Sequence, residues 1–344
     1  MTNFKIIAQE RVILKDLLPL KKPLSIFIEP SNMCNFRCCM CVHGSDNTRD
    51  DLKPFRHIDM ELYRKIIQDL HDWEGPRLKT LRLAILGEPL INKDFPEMVA
   101  IAKDAEVSEK VDTFSNGSLL TPDLAGALVD SGLDYIRFSI YSVLDDRHRI
   151  VTQQDKYSPR DILKNITYLR KARDRRGSST PYILVKMFDT YGPENDKFIE
   201  MYRDIADEID FEKIHDATKY SGNDLVGAYY DDEGAIKRTH EEYKKNLHPH
   251  VACPRPFIAL CVDSLGNVLM CTHDAPRYTK IANLNETSIK DVWFGDALFE
   301  FRRMQIEGRK DRNKLCRNCD WYKLFPIEDN VDGLAMDKIM PQNQ

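Results

Sequence analysis

The sequence predicts an α/β fold in which a partial, six-stranded (β/α)6 parallel barrel is followed by a small cysteine-rich domain. Strand and helix signals alternate from about residue 23 to 216, which is typical of a parallel sheet with right-handed crossovers. Nine cysteines fall into two groups, at 34–41 and 253–319. The length of 344 residues allows one large domain and an appendage. Six repeats rather than eight indicate a barrel that stays open.

The barrel elements follow from apolar runs and helix-start signals, taken in chain order. The predicted strands are 24–28, 81–86, 111–114, 135–140, 182–188 and 211–215. Helices are predicted after the N-cap candidate Asp59, from Thr121-Pro122 to Gly132, from Ser158-Pro159 to Gly177, and from Gly192-Pro193 to Ile205. Most strands are thus followed by a helix rather than by a tight hairpin turn.

The same signals divide the chain into five parts. We expect an N-terminal extension over 1–22, the barrel over 23–216, a polar segment over 217–250, the cysteine-rich domain over 251–324 and a tail over 325–344. The polar segment contains a charged helical stretch at 233–246. It is either a linker with a solvated helix or a segment that faces the substrate.

Composition excludes several classes of function. The net charge is −5 with interspersed signs, which argues against binding to nucleic acid or anionic membranes. The sequence has neither a signal-peptide apolar region nor an apolar run of 18 residues. We therefore expect a cytoplasmic protein. Nine cysteines in such a compartment indicate metal binding rather than disulfides.

The first cysteine motif directly follows the first predicted strand. Cys34, Cys38 and Cys41 are spaced C-x3-C-x2-C, which suits three thiolates that hold three irons of a 4Fe-4S cube and leave the fourth iron open. A structural zinc site needs a fourth ligand, and the nearest candidate, His43, follows too closely. The motif resembles that of the radical S-adenosylmethionine (SAM) superfamily. In that family SAM chelates the open iron and is split to a 5′-deoxyadenosyl radical that abstracts a substrate hydrogen.

The resemblance implies a set of SAM-binding residues at the carboxyl ends of the strands. The family's Gly-Gly-Glu motif, which holds the SAM ammonium, is matched here by Gly87 and Glu88, with Leu86 in place of the first glycine. The resemblance further implies SAM contacts from Asn116, from Ser139 and, toward adenine, from Met40. Gly87-Glu88-Pro89 and Asn116-Gly117 are also good turns, and Ser139 could simply bond to the backbone.

The second cysteine motif combines a hairpin with a later loop. Cys253, Gly266 and Cys271 are spaced C-x12-G-x4-C, and Cys316 and Cys319 follow as C-x2-C. Four thiolates of this kind can close a zinc or an iron–sulfur site. Together with the first motif they resemble the SPASM/Twitch appendage of radical SAM enzymes. Because no cysteine follows Cys319, the resemblance implies a Twitch domain with one auxiliary 4Fe-4S cluster, as in 2-deoxy-scyllo-inosamine dehydrogenase-like enzymes.

Two clusters and SAM lead to a predicted reaction. Hydrogen abstraction beside a hydroxyl leaves a radical that becomes a ketone after losing a proton and an electron, and a closed cluster is a suitable electron acceptor. We therefore predict two-electron oxidation of a secondary alcohol on a carbohydrate or aminocyclitol, with flavodoxin or ferredoxin as electron donor. Substrate-contacting candidates are Arg137, Tyr141, Lys186 and His215. Lys186 interrupts an apolar strand, so it either lines the barrel or faces water from an edge strand.

Three alternatives stay open. A sugar epimerase would use Cys261 as a hydrogen-atom donor, although Cys261 lies in an apolar run typical of the core. A peptide-modifying maturase would usually carry an N-terminal leader-binding domain and a longer appendage, whereas only about 22 residues precede the first strand here. A non-catalytic zinc scaffold would bind neither iron nor SAM.

Overall fold

A single nine-stranded sheet organises the part of the chain that the structure describes. The computed structural model describes residues 12–214, 225–230 and 232–339. Within them the strand order is β6-β5-β4-β3-β2-β1-β7-β8-β9. The strands are β1 Ser25–Ile28, β2 Thr80–Arg82, β3 Val111–Ser115, β4 Tyr135–Ile140, β5 Tyr182–Phe188, β6 Glu208–Glu212, β7 Ala259–Val262, β8 Asn267–Leu269 and β9 Lys280–Asn283. The sheet is open, with β6 and β9 at its edges.

The first six strands are parallel neighbours in chain order, which confirms the predicted partial barrel. β4 and β5 have the predicted bounds. The predicted bounds of β6, 211–215, were wrong. The strand runs from Glu208, which pairs with Leu184 of β5, to Glu212, which pairs with Phe188. An edge strand does not need the continuous apolar run that the prediction relied on. The predicted end of that strand, His215, lies outside the described residues.

Helices follow most of the barrel strands and cover the sheet. The α-helices are α1 Leu14–Leu17, α2 Asp46–Asp50, α3 Met60–Asp72, α4 Phe95–Asp104, α5 Pro122–Asp130, α6 Asp145–Thr152, α7 Pro159–Arg175, α8 Glu194–Tyr202, α9 Leu225–Tyr229, α10 Glu233–Lys245, α11 Arg255–Ile258, α12 Ile289–Phe294 and α13 Asp296–Ile306. Side chains of Asp59, Thr121 and Ser158 accept hydrogen bonds from the first turns of α3, α5 and α7, as their sequence signals predicted. The main core lies between these helices and the sheet.

The C-terminal part continues the barrel sheet rather than standing beside it. β7 pairs in parallel with β1, and β8 and β9 continue as antiparallel strands. The predicted hairpin between β7 and β8 is present, with Gly266 at a φ of +83°, a conformation that favours glycine. No sequence signal predicted that this hairpin would extend the sheet beyond β1.

Glu29, which follows β1, ties the barrel to this hairpin. Its buried carboxylate accepts hydrogen bonds from the backbone N–H groups of Leu86, after β2, and Ser264, in the hairpin turn. Burial raises the pKa of Glu29 to about 7. None of the helices described is long and apolar enough to cross a membrane.

Candidate active site

The loop after β1 brings the three cysteines of the first motif together. Cys34, Cys38 and Cys41 lie close enough that each neighbouring thiol adds to the pKa shift of Cys38, after the larger effect of burial. The loop closes on itself through a hydrogen bond from the Cys41 N–H to the Cys38 carbonyl, with an N···O distance of 2.9 Å. A backbone bond from Cys39 to Val151 ties it to α6.

The donor set of this loop fits an iron–sulfur cluster. Burial raises the pKa of all three thiols, so thiolates here need a positive group that iron would supply. Among the described residues no three Cys, His, Asp or Glu side chains converge as ligands of a single metal ion. In a cube each thiolate binds a different iron, and this fits three separated thiols.

The turn after β2 supports the cysteine loop through Gly87. A Cβ atom at Gly87 would lie 2.0 Å from the Ser31 carbonyl oxygen and 2.7 Å from that of Met33. The next residue, Glu88, donates its backbone N–H to the Met33 carbonyl at 2.8 Å. Only glycine therefore fits where this turn touches the loop that leads to Cys34.

The Glu88 carboxylate, in the turn after β2, forms hydrogen bonds that link this turn to the carboxyl end of β3. It is 3% exposed and accepts hydrogen bonds from the Ser115 hydroxyl at 2.8 Å, the Asn116 N–H at 2.7 Å and the Leu90 N–H at 3.1 Å. Burial raises the pKa of Glu88 to about 7, although these bonds oppose the shift. Protein donors thus engage both carboxylate oxygens.

Asn116 and Ser139 lie at the ends of the next two strands. The Asn116 side chain donates to the Asn35 side chain, which neighbours Cys34, at 3.0 Å. It also hydrogen-bonds the Cys34 thiol, which opposes the rise in that thiol's pKa. Ser139 pairs in register with Lys186 of β5. Along β4, Arg137 and Ser139 are partly buried whereas Phe138 is fully buried, because successive side chains of a strand point to opposite faces.

A cavity of about 480 Å³ lies between the barrel strands, the cysteine loop and the C-terminal part. Its lining includes Met40 from the loop and Phe27, Arg82, Phe114, Arg137 and Lys186 from the strands. From the C-terminal side it is lined by Arg255, Thr272, His273 and Trp321. A larger open hollow of about 840 Å³ around α6 is lined by none of the candidate site residues. The smaller cavity is therefore the candidate active site.

The predicted residues Arg137 and Lys186 both face this cavity. Lys186 is 8% exposed and forms an ion pair with Glu212 of β6. Its strand, β5, is not an edge strand, so the lysine does not face water. Burial, followed by the nearby Arg137, lowers the pKa of Lys186. Of the other two candidates, Tyr141 is half-buried and packs near Phe188, and His215 lies outside the described residues.

Sequence reasoning missed Arg82 and its partner. The Arg82 guanidinium binds Asp112 in a two-pronged ion pair, with both N···O distances 2.7 Å, and the Asp112 side chain is fully buried. Both are charged residues that interrupt apolar runs of the sequence, Arg82 at the end of β2 and Asp112 within β3. The signal that singled out Lys186 was therefore also present at these two positions.

The second cysteine motif assembles from three separate segments. Cys253 precedes α11, and Cys271 follows β8. Cys316 begins a short 3-10 helix, and Cys319 directly follows it. All four thiols line one small cavity. Burial raises the pKa of Cys253 to about 12 and that of Cys271 to about 11. These four donors fit a closed iron–sulfur cluster in the same way as the first loop fits an open one.

Two cations accompany the second motif. The guanidinium of Arg255 opposes the pKa rise at Cys253 and Cys271. Lys310 lines the same cavity and donates to the Cys319 carbonyl at 3.2 Å. The positive charges lie where four thiolates would bring excess negative charge.

The two cavities share a wall. Arg255, His273 and Trp321 line both the candidate active site and the four-thiol cavity. The Arg255 guanidinium lies 5.0 Å from the centre of the Trp321 ring. One layer of side chains therefore separates the candidate active site from the four-thiol cavity.

The remaining two cysteines stand apart from both sets of ligands. Cys261 is fully buried in β7 and pairs in register with Phe27 and Leu269. It does not line the cavity, although its neighbour Phe27 does. Cys39 packs against the cluster of Tyr229 and Val151. Neither position tests the predicted roles.

Comparison with known proteins gives two family matches. Residues 28–213 match the Radical SAM superfamily, and residues 253–320 match the SPASM iron–sulfur cluster-binding domain. Together they cover both cysteine motifs.

Curated relatives align along most of their length. A tungsten-containing aldehyde ferredoxin oxidoreductase cofactor-modifying protein of Pyrococcus furiosus is 26% identical, covering 80% of this chain and 82% of the relative. An S-adenosyl-L-methionine-dependent 2-deoxy-scyllo-inosamine dehydrogenase of Niallia circulans is 23% identical, covering 86% and 92%.

Solved structures share the fold. BtrN in complex with AdoMet and 2-DOIA superposes with a TM-score of 0.53 at 19% identity, covering 87% of this chain and 93% of that one. Streptococcus suis SuiB bound to the precursor peptide SuiA gives 0.61 at 13% identity, covering 88% and 72%. At these identities the likeness concerns the fold alone.

Proposed function

Because the chain belongs to the radical SAM superfamily and carries a SPASM iron–sulfur domain, we propose that it oxidises a secondary alcohol of a small carbohydrate-like or aminocyclitol substrate to a ketone. Enzymes of this kind bind SAM and a 4Fe-4S cluster, with further iron–sulfur at the SPASM domain. The observation that carries the proposal is the shared wall of Arg255, His273 and Trp321. This wall supports the proposal, because a cluster held by the four thiols would be close enough to the substrate cavity to accept the electron released by oxidation.

Residues of the barrel hold the SAM side of the site in this proposal. Cys34, Cys38 and Cys41 ligate the cluster that, with SAM, supplies the hydrogen-abstracting radical. Gly87 and Glu88 position the backbone acceptors for the SAM ammonium, because the Glu88 carboxylate is itself engaged by Ser115, Asn116 and Leu90.

The other SAM contacts follow from position. Asn116 beside the cysteine loop and Ser139 at the end of β4 supply polar contacts. Met40 lines the cavity and supplies apolar contact to adenine.

Cys253, Cys271, Cys316 and Cys319 hold the auxiliary cluster in this proposal, and Arg137 and Lys186 contact the substrate. The cavity of about 480 Å³ suits a small molecule. The aminocyclitol dehydrogenase named among the relatives supports this substrate class. A low-potential donor such as flavodoxin or ferredoxin, and a cytoplasmic location, complete the proposal.

The competing epimerase uses the same fold with Cys261 as hydrogen-atom donor. The observation in its favour is that Cys261 pairs with the cavity residue Phe27. Against it, Cys261 is 0% exposed, so a hydrogen transfer would need the neighbouring side chains to move.

The test measures products of the reconstituted enzyme with aminocyclitols in deuterated water. Oxidation requires ketone and 5′-deoxyadenosine in equal amounts. Changing Cys316→Ala should leave 5′-deoxyadenosine formation while ketone formation is lost, and Cys261→Ala should retain both. Solvent deuterium on a substrate carbon, lost in Cys261→Ala and without change of oxidation level, would establish epimerisation instead.

A further inference from the structure

Arginines and aromatic rings alternate across the floor of the candidate active site. The Arg255 guanidinium lies 5.6 Å from the Phe27 ring centre, and that of Arg82 lies 5.3 Å from the same ring. Arg82 also lies 4.3 Å from the Phe114 ring, and Arg137 lies 3.8 Å from it. This arginine row holds its planar groups by stacking, and all five residues line the cavity.

The pairing register of the strands determines the positions of the residues in this arginine row. Phe27 pairs with Arg82 and Phe114 with Arg137 in the parallel ladders, and paired residues of neighbouring strands point to the same face. The guanidinium groups are therefore set by the backbone of four strands and a helix, and their positions do not depend on a mobile loop.

The arginines of the row differ in their partners. Arg82 is neutralised by the buried Asp112, and nearby Lys186 by Glu212. Among the described residues Arg137 makes no ion pair, and its buried Nε atom has no hydrogen-bond partner. Burial, and then Arg82, lower the pKa of Arg137. A partly buried guanidinium that makes no ion pair of its own is costly unless a ligand supplies the counter-charge.

We propose that Arg137 binds an oxyanion of the substrate, so that the alcohol oxidised in this site belongs to an anionic molecule such as a sugar phosphate or a sugar acid. The inference rests on the proposed function, whose substrate class it narrows. A planar guanidinium matches two oxygens of a phosphate or carboxylate. Stacking on Phe114 leaves the edge of the guanidinium available for such a bond.

The carboxylate of SAM is also an anion, but it is expected to bind nearer the carboxyl end of β4 than Arg137 lies. Ser139, at the SAM end of β4, is two residues beyond Arg137 on the same face, roughly 6–7 Å further along the strand. Arg137 therefore lies below the level at which the cysteine loop and the Glu88 turn receive SAM. An experiment with SAM already bound separates the two anions.

Binding is measured on the reconstituted enzyme saturated with SAM and kept without reductant. The probes are inorganic phosphate, myo-inositol 1-phosphate, glucuronate and uncharged myo-inositol. We expect the two charged sugars to bind about ten- to a hundredfold more tightly than myo-inositol, the range of a charge-assisted pair. Arg137→Met should abolish that preference, and Arg137→Lys should keep part of it.

The matched control is Arg149→Met, which removes an exposed arginine of α6 that pairs with Asp146 and should change nothing. Comparing myo-inositol 1-phosphate with glucuronate tells phosphate from carboxylate. The proposal is overturned if none of the three anions shows binding that depends on Arg137, or if Arg137→Met weakens SAM binding instead.

Folding of each variant is checked by its iron content and its circular dichroism spectrum, and Arg137→Lys serves if Arg137→Met does not fold. SAM cleavage and ketone formation, assayed in the same samples after reductant is added, bear only on the proposed oxidation. Anion binding that depends on Arg137, without ketone formation, would contradict the proposed oxidation but support the proposed anion site.

Discussion

The two cysteine sites of this molecule are built in opposite ways. The first takes three thiols from one loop after β1, beside the buried carboxylate of Glu88. The second takes four thiols from three distant segments, closes the site, and adds the cations Arg255 and Lys310. Under the proposed function, the first site has to admit SAM, whereas the second only exchanges electrons and can therefore be enclosed and surrounded by positive charge.

The largest effect tests whether the two sites are independent. Changing Cys34, Cys38 and Cys41 together to alanine should abolish SAM cleavage and lower the iron content from about eight to about four per chain. Iron analysis and cleavage assays check this. Cys39→Ala, in the same loop, should change neither quantity. A triple variant without any iron would show that the second site depends on the first.

A single methyl group should reproduce much of that loss. Gly87→Ala would put a Cβ atom against the Ser31 carbonyl at 2.0 Å, so the cysteine loop has to shift. We expect loss of the first cluster, with about four irons retained at the second site. Gly192→Ala, whose nearest neighbour would be 3.7 Å away, is the control. Full iron content in Gly87→Ala would contradict the proposed contact.

Glu88 tests how the first site receives SAM. Glu88→Ala leaves three buried donors unpaired, and SAM affinity should fall about ten- to a hundredfold. Glu88→Gln retains an acceptor oxygen and should lose less. Exposed Glu97, paired on the surface with Arg64, gives the control Glu97→Ala. SAM affinity equal to that of the unchanged protein would make the Glu88 turn irrelevant to SAM.

Glu29 tests the connection between the barrel, which carries the first cysteine site, and the β7–β8 hairpin, which leads to Cys271 of the second. Its pKa is raised from 4.5 to about 7, chiefly by burial, so its contribution to stability is complete below pH 4.5 and is lost as the pH rises through 7. The loss is at most about 3 kcal/mol. Relative to Glu29→Gln, the unchanged protein should therefore lose stability between pH 5 and 8. Parallel melting temperatures over that range would refute this.

The smallest effect concerns the charge around the second site. Arg255→Met removes a buried cation beside the four thiols, so the auxiliary cluster should become harder to reduce, by tens of millivolts, because nearby charge sets cluster potentials. A redox titration followed by electron paramagnetic resonance measures this. Arg317→Met removes an exposed charge next to two ligands and should have less effect, since solvent screens it. Equal shifts would discount burial as the cause.

The comparison also explains what the sequence could predict. Contiguous spacing identified Cys34, Cys38 and Cys41, and a charge in an apolar strand identified Lys186. Arg82 carried the same signal, but the strand was expected over 81–86 and ended at Arg82. Trp321 and Arg255 come into contact only because the fold brings distant segments together. The spacing of residues along the sequence cannot predict such a contact.

The parallel pairing of β1 with β7 also bears on how the chain is made. Ser25 pairs with Ala259. One edge of β1 therefore stays unpaired until roughly 230 further residues have been synthesised, which takes on the order of ten to fifty seconds at ribosomal speed. During that time an apolar strand edge beside the cysteine loop is open to wrong partners. Expression at reduced temperature or with added chaperones should therefore raise the yield more than stronger induction does.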